Sequence, residues 1–292
     1  MATSFKDLKA NRLQNLKNLQ KDVKKLQEKP SYEDDRIWKC ERDKTGNGYA
    51  VIRFLPAPIN EEISFVQLWS HGFKGPGGWY IENSLTTPRP SHPSGSDDPV
   101  SKANTLLWNS GIESDKNIAR DRKRKLSYYS NILVLEDSAN AQNEGKVFLF
   151  RYGKKIFEKL ESKMNPEFKD EEPMNPFDMD DGANFKLKIR QVEGYANYDK
   201  SEFASPSPLY DGDDAKCEDV WKQQHSLQGI LAPENFKSYQ ELEARFNTVT
   251  ASGTGSDYNE TIEESTVDPV ASDAAEATSE DTLEYFKKLA EQ

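Results

Sequence analysis

The chain has 292 residues, 35% hydrophobic and 30% charged, with a formal net charge of −11. That composition describes a polar, soluble chain with room for one large domain or two small ones. It excludes several classes. No apolar run approaches the roughly 20 residues that span a bilayer, and the first residues lack the apolar region of an export signal. Two cysteines, Cys40 and Cys217, cannot make a disulfide framework or a Cys-rich zinc site, so the expected compartment is reducing cytoplasm. The charge is unevenly spread. Residues 1–29 hold eight Lys/Arg and three Asp/Glu, a net +5, whereas 251–292 hold eleven acids and two lysines, a net −9. A basic arm, a mixed core and an acidic tail are a recognised hint of nucleic-acid binding.

Residues 4–28 lack Gly and Pro, and Phe5, Leu8, Leu13, Leu16, Leu19, Val23 and Leu26 recur at helical spacing. A basic amphipathic helix ended by Pro30 is expected there. Residues 36–42 and 49–55 read as a hairpin about Lys44-Thr45-Gly46-Asn47-Gly48. Both faces of 49–55 are apolar except at Arg53. A charge in a central strand needs a partner or a groove to face; a phosphate contact and a buried ion pair both satisfy that need. A second hairpin is expected over 63–71 and 79–82, with Gly75-Pro76-Gly77-Gly78 at its tip. Alternation gives Trp79 and Tyr80 opposite faces, Trp79 to the core and Tyr80 outward to stack on a base. Residues 83–98 are rich in Pro, Ser, Thr and Asp and read as a mobile loop. A short helix is expected near 100–109.

The run Arg120 to Lys125 places five basic side chains in six positions, directly ahead of Tyr128-Tyr129 and an apolar strand. Single-stranded nucleic acid asks for that combination of phosphate-neutralising charge, flat rings and a rigid support. The return strand 146–152 alternates Phe148, Phe150 and Tyr152 against Val147, Leu149 and Arg151, so one of its faces is expected to line a binding surface. A helix follows with Ile156, Phe157 and Leu160. The acidic stretch 165–182 is broken by Pro; Asp178, Asp180 and Asp181 could hold a metal there, or simply form a solvated loop. Residues 185–192 alternate Phe185, Leu187 and Ile189 with Lys186, Lys188 and Arg190, a half-buried strand with a basic outer face. Tyr195 and Tyr198 follow in a loop. Helices are expected over 214–228 and 233–249, with Phe236, Tyr239, Leu242 and Phe246 as a core stripe. The tail ends in a pattern, Leu283, Phe286 and Leu289, suited to a partner protein.

Five ordered motifs stand out. They are Gly46-Asn47-Gly48-Tyr49-Ala50-Val51-Ile52-Arg53-Phe54-Leu55-Pro56; His71-Gly72-Phe73-Lys74 with Trp79-Tyr80-Ile81-Glu82; and Lys123-Arg124-Lys125-Leu126-Ser127-Tyr128-Tyr129 with Asn131-Ile132-Leu133-Val134. Asn143-Glu144-Gly145-Lys146-Val147-Phe148 with Gly153-Lys154-Lys155-Ile156, and Gly182-Ala183-Asn184-Phe185 with Gly194-Tyr195-Ala196-Asn197-Tyr198-Asp199, complete the set. Together they resemble the single-stranded DNA-binding, helix-destabilising proteins of T-even-type tailed phages, over roughly residues 36–200 and more weakly to about 249.

The resemblance implies a β-rich α+β fold: an OB-fold core, a five-stranded Greek-key barrel with added strands and helices, over residues 31–250. A basic helical arm (1–30) for cooperative binding to the neighbouring subunit and a disordered acidic tail (251–292) for replication and recombination proteins would flank it. It implies a non-enzymatic protein that coats single-stranded DNA without sequence preference, destabilises duplex, and works in the cytoplasm of an infected bacterial host, away from membranes. The DNA-binding positions it implies are Arg53, Trp79, Tyr80, Lys123, Arg124, Lys125, Tyr128, Tyr129, Phe150, Arg151, Tyr195 and Tyr198. The family's zinc site uses one His and three Cys. His71 matches the His, but Ser84 stands at the first Cys and residues 85–98 contain none, so no zinc and no other cofactor is expected. The arm's short basic-plus-hydroxyl motif also has no clean copy in residues 1–29. An RNA-binding, translational-control module on the same fold is the alternative reading, and a metal-dependent nuclease using the three aspartates is a second. The acidic tail is further expected to compete with DNA for the basic surface.

Overall fold

The structure is a computed structural model that describes residues 34–251. The expected N-terminal arm, and all but the first residue of the expected tail, lie outside the described residues. The compact unit that begins at Trp38 is α+β and strand-rich. Its chain order is β1 (Ile37–Trp38), β2 (Gly48–Phe54), β3 (Val66–Gly75), β4 (Gly78–Asn83), α1 (Pro99–Asn109), α2 (Glu113–Asp121), β5 (Lys125–Asp137), β6 (Val147–Tyr152), α3 (Lys154–Met164), β7 (Ala183–Val192), β8 (Tyr195–Asn197), β9 (Glu202–Pro206), α4 (Asp214–Lys222) and α5 (Tyr239–Thr250). Residues 39–42 form no strand, so the first expected hairpin reduces to its turn. There the Asp43 carboxylate accepts from the amides of Thr45 and Asn47.

The strand that follows the basic run is the spine. β5 pairs antiparallel with β3 through Lys125–Tyr129 and with β2 through Ile132–Asp137, while β6 lies along its other edge. Beyond β2 the sheet continues to β7 and then β8, with β9 also on β7. The run Ile132-Leu133-Val134 is fully buried because both faces of this part of the sheet are covered. On one face Ile52, Phe54, Ile132, Phe150, Tyr152, Leu160, Phe185 and Leu187 make the main core. Phe54 sits at its centre, with the rings of Phe150, Tyr152, Phe177 and Phe185 at 5.7–6.3 Å in tilted and edge-on contacts. On the other face Leu133 and Val147 pack with Leu209 and Val220, which α4 and the segment before it bring over. The expectation that one face of β6 lines a binding surface is therefore corrected. Its alternation is real, but a later segment of the chain buries the second face.

A smaller core forms where α1 and α5 pack on the β3–β4 hairpin: Phe73, Tyr80, Leu85, Val100, Leu242 and Phe246. The hairpin tip needs its glycines. A Cβ on Gly75 or Gly77 would collide with the carbonyls of Val249 and Thr248, so the close approach of α5 requires them. α5 begins at Ser238 with a reciprocal capping box to Glu241, which separates it from Phe236. The 233–249 stretch is thus a short turn plus a helix, and the Phe236–Phe246 stripe packs inward as its spacing predicts.

Candidate nucleic-acid interface

The basic run does not act as one unit. Arg120 and Asp121 end α2, and Arg120 stacks over Trp108 with its guanidinium carbon 5.4 Å from the ring. Arg122 lies 5.4 Å from both the Phe73 and the Phe246 ring, bridging the smaller core. Arg124 holds its guanidinium carbon 4.2 Å from the centre of the Trp69 ring and donates to Thr86 Oγ1. Lys123 is exposed and Lys125 half-buried. All three arginines of the run are thus held against rings, which restrains their guanidinium groups at small entropic cost.

Cross-strand register sorts the remaining groups onto two faces, because directly opposed residues in an antiparallel pair point the same way. Trp69 opposes Leu126, Gln67 opposes Tyr128, and Tyr128 opposes Tyr152. Tyr128 is stacked on Phe157 of α3, centroids 4.0 Å apart and planes 7° apart. Leu126, Phe157 and Tyr198 are half-buried along the border of the main core, and Tyr195 is 60% exposed. Cations border these rings. Arg124 stands beside Trp69, and Lys155, Lys159 and Arg190 gather about Asp199. The Asn197 side chain, and more weakly those three charges, hold the Asp199 carboxyl below the usual carboxylate range. Half-exposed rings with convergent positive charge are the physical requirement for holding a single strand by stacking and phosphate neutralisation. The sequence reading missed Trp69 and Phe157. Trp69 lies two residues before His71 in a strand whose face only the pairing with β5 defines, and Phe157 reads as ordinary helix core.

The other face carries Tyr129, Ser127 and Lys125 of β5, opposed in turn by Val66, Leu68 and Ser70 of β3. Gly72 and Lys74 follow, opposed by Ile81 and Trp79 of β4. Trp79 is 44% exposed there, with Lys74 6.0 Å from its ring, whereas Tyr80 is fully buried against Phe73. The expected assignment of these two neighbours is reversed. Alternation gives them opposite faces, but α5 chose which face became core. Arg151 opposes Tyr129 and donates to Ser127 Oγ at 3.0 Å.

Several expected contact residues are enclosed. Arg53 has no exposed surface, and its Nη2 lies 2.9, 3.1 and 3.0 Å from the carbonyls of Asp178, Met179 and Ser207. Neither a phosphate nor a side-chain carboxylate is its partner; backbone carbonyls of the 178–207 segments take that place. Tyr80 and Phe150 are core side chains, and Tyr128 and Tyr129 are 5% and 7% exposed, so these rings support the surface more than they present it. The Asp178 carboxylate accepts from the amides of Asp180 and Asp181. Among the described residues no group of three or more His, Cys, Asp or Glu could hold a metal ion.

The 83–98 segment, expected to be mobile, is tied down by buried polar groups. Asp98 is almost wholly buried and caps α1 by accepting from Ser101 N at 3.0 Å. Its other oxygen accepts from Ser84 Oγ at 3.0 Å and Leu85 N at 3.1 Å. His71 donates from Nδ1 to the Arg122 carbonyl at 2.9 Å and turns Nε2 toward Asp98 Oδ1, 3.2 Å away. Burial alone would raise the Asp98 carboxyl; contacts from His71, Ser101 and Ser84 overcome it and hold it at about 2. Arg89, also buried, donates to the carbonyls of Leu85 and Thr87. This donor set does not make a structural zinc site. A neutral Ser84 hydroxyl replaces a thiolate, and both nitrogens of His71 are turned onto protein oxygens.

A strand-rich α+β unit with half-exposed rings beside convergent cations defines a nucleic-acid-binding protein. Comparison with known proteins gives the family. The family model for gp32-like DNA-binding proteins matches residues 46–250. The single-stranded DNA-binding proteins of Enterobacteria phages T2 and T4 are each 38% identical to this chain over 221 residues, 75% of the chain and 71% of the relative. The protein of the same description from Escherichia phage SV14 is 53% identical over 57 residues, 20% of the chain and 50% of the relative. The chain belongs to the gp32-like DNA-binding family, a family of binding proteins and not of enzymes. Among the described residues no helix is long and apolar enough to cross a membrane.

Proposed function

We propose that this chain binds single-stranded DNA without sequence preference, and coats and protects it during phage replication, recombination and repair. Membership of a family whose T2 and T4 members are described as single-stranded DNA-binding proteins is the observation that carries the reading. The half-exposed rings of Trp69, Phe157 and Tyr198, with Arg124, Lys155 and Arg190 beside them, supply the matching chemistry. Selective affinity for the single strand lowers the free energy of melted DNA and destabilises duplex without ATP. In this reading the sheet is the OB-fold core of residues 31–250, residues 1–30 mediate cooperativity with a second copy, and 251–292 engage replication and recombination proteins. The protein works in the cytoplasm of the infected host, and the Asp98–His71–Ser84 cluster stands in for zinc, so no metal is bound.

A poly-dT titration at several salt concentrations tests the reading. Affinity falls steeply with salt, because neutralised phosphates release their counterions. Affinity that is negligible at low salt, or that rests on one DNA sequence, would falsify it. Competition between matched DNA and RNA oligomers decides the RNA alternative, since discrimination acts at the 2′-hydroxyl.

A further inference from the structure

The Arg124–Trp69 stack opens onto a groove of about 500 Å³ bounded by the 86–97 loop. That volume lies within the range of small-ligand clefts, about 300–1,000 Å³. Thr86, Pro88, Ser94 and Ser96 line it together with Trp69 and Arg124. Its wall is built, not loose. Thr87 Oγ1 accepts from Trp69 N at 3.0 Å and Ser84 N donates to Trp69 O at 2.8 Å, so the strand and the loop share hydrogen bonds. Ser96 N donates to Leu85 O at 2.8 Å and closes the loop on itself. Gly95 turns at φ +72°, and a Cβ there would strike Thr86 O, so only glycine holds this course. Asp97 at the rim is paired with Lys102 at 2.7 Å, which offsets the one acidic charge lining the groove.

Arg124 is oriented for a ligand. The indole backs its guanidinium, whose carbon lies 4.2 Å from the ring centroid, and Thr86 takes one donor of a group that carries five in a rigid fork. A planar, pre-oriented fork suits a phosphate, and an adjoining cleft edged by an indole and a proline suits a base. Trp69 shares its sheet face with Leu126 and Tyr128, so the groove extends the ring-lined interface beyond β5.

We propose that Trp69, Arg124 and the Thr86–Ser96 wall form a subsite for one nucleotide of the bound strand, its phosphate on the Arg124 fork and its base in the groove beside Trp69 and Pro88. Trp69 acts through Arg124 as well as on the base, and is in that respect a positioning residue. The inference rests on the reading that the chain binds single-stranded DNA.

The test is an oligo-dT titration of the full-length protein, followed by intrinsic tryptophan fluorescence, with Trp69→Ala, Trp69→Phe and Arg124→Lys. Trp69→Ala weakens binding about tenfold and loses part of the quench, as the removal of one stacking contact predicts. Trp69→Phe keeps a ring under the guanidinium and recovers affinity to within about threefold of the native chain. Arg124→Lys keeps the charge but loses the fork. It weakens binding about as much as Trp69→Ala, and the double variant adds little, because both act on one unit. If Trp69→Ala impairs folding, the Phe and Lys variants carry the comparison. Native binding with Trp69→Ala and Arg124→Lys both within about twofold of it overturns the subsite alone. A native chain that fails to bind oligo-dT overturns the functional reading, and the subsite with it.

Discussion

Asp98→Ala should collapse the order of the 84–98 segment and cost a large part of the protein's stability. The carboxylate accepts from Ser84 Oγ, Leu85 N and Ser101 N and faces His71 Nε2. Losing the α1 cap costs about 1 kcal/mol. Leaving two buried donors without an acceptor, together with an unmatched His71, brings the loss to about 3–5 kcal/mol. That is a large share of the roughly 5–15 kcal/mol that holds a typical domain. Urea unfolding at pH 7 reads the loss, and limited proteolysis within 86–96 reads the loosened segment. Asp98→Asn keeps the shape and the cap but turns an amide toward a donor, for about 1–3 kcal/mol.

The pH dependence gives an independent check. The Asp98 carboxyl sits at about 2 in the folded chain against an ordinary 3.8. A depressed carboxylate stabilises the fold above its unfolded pKa, and the contribution disappears as pH falls through the folded value. Asp98 therefore supplies about 2 kcal/mol above pH 4 that is lost between about pH 4 and 2. The native protein should show this acid loss, and Asp98→Asn should lack that part of it. An Asp98→Ala variant within about 1 kcal/mol of native at pH 7, with an unchanged cleavage pattern, would refute the reasoning.

Four further outcomes follow from the same geometry. Tyr128→Ala removes a ring stacked on Phe157 and Tyr152; urea unfolding should show a loss of about 3–5 kcal/mol alongside any loss of DNA affinity. Arg53→Met strands three carbonyls and should destabilise by about 2–4 kcal/mol, while DNA affinity per folded molecule, measured by titration, stays native. Lys123→Ala should lower the slope of log affinity against log salt by about 1, since Lys123 is exposed and offers only charge. Deleting 251–292 should tighten poly-dT binding most at low salt, as expected of a tethered acidic competitor; equal affinity across the salt series would count against it.

Most strands and helices were legible in the residues because their signals are local, although 39–42 formed no strand, α2 was not expected, and Tyr195–Asn197, expected as a loop, forms β8. The alternation of 183–192, the turn at Gly75-Pro76-Gly77-Gly78, the helix after Gly153 and the stripe through Phe246 each depend on neighbours within one or two turns. The family was legible as well, because five ordered motifs survive in sequence whatever their side chains touch.

Which face of each strand met water was not legible. Alternation separated Trp79 from Tyr80, but only the arrival of α5, more than 150 residues later, made the Tyr80 face the core. Periodicity likewise split β6 into two faces without revealing that α4 would bury the second. Arg53 found its partners on carbonyls of Asp178, Met179 and Ser207, and no spacing in the sequence announces a carbonyl. Asp98 joined His71 and Ser84 only because β3, β4 and α1 converge on one point. Local pattern in the residues determined most of the elements, the charge layout and the family. Tertiary structure decided which rings and cations reach the surface, because burial is set by segments far apart in the chain.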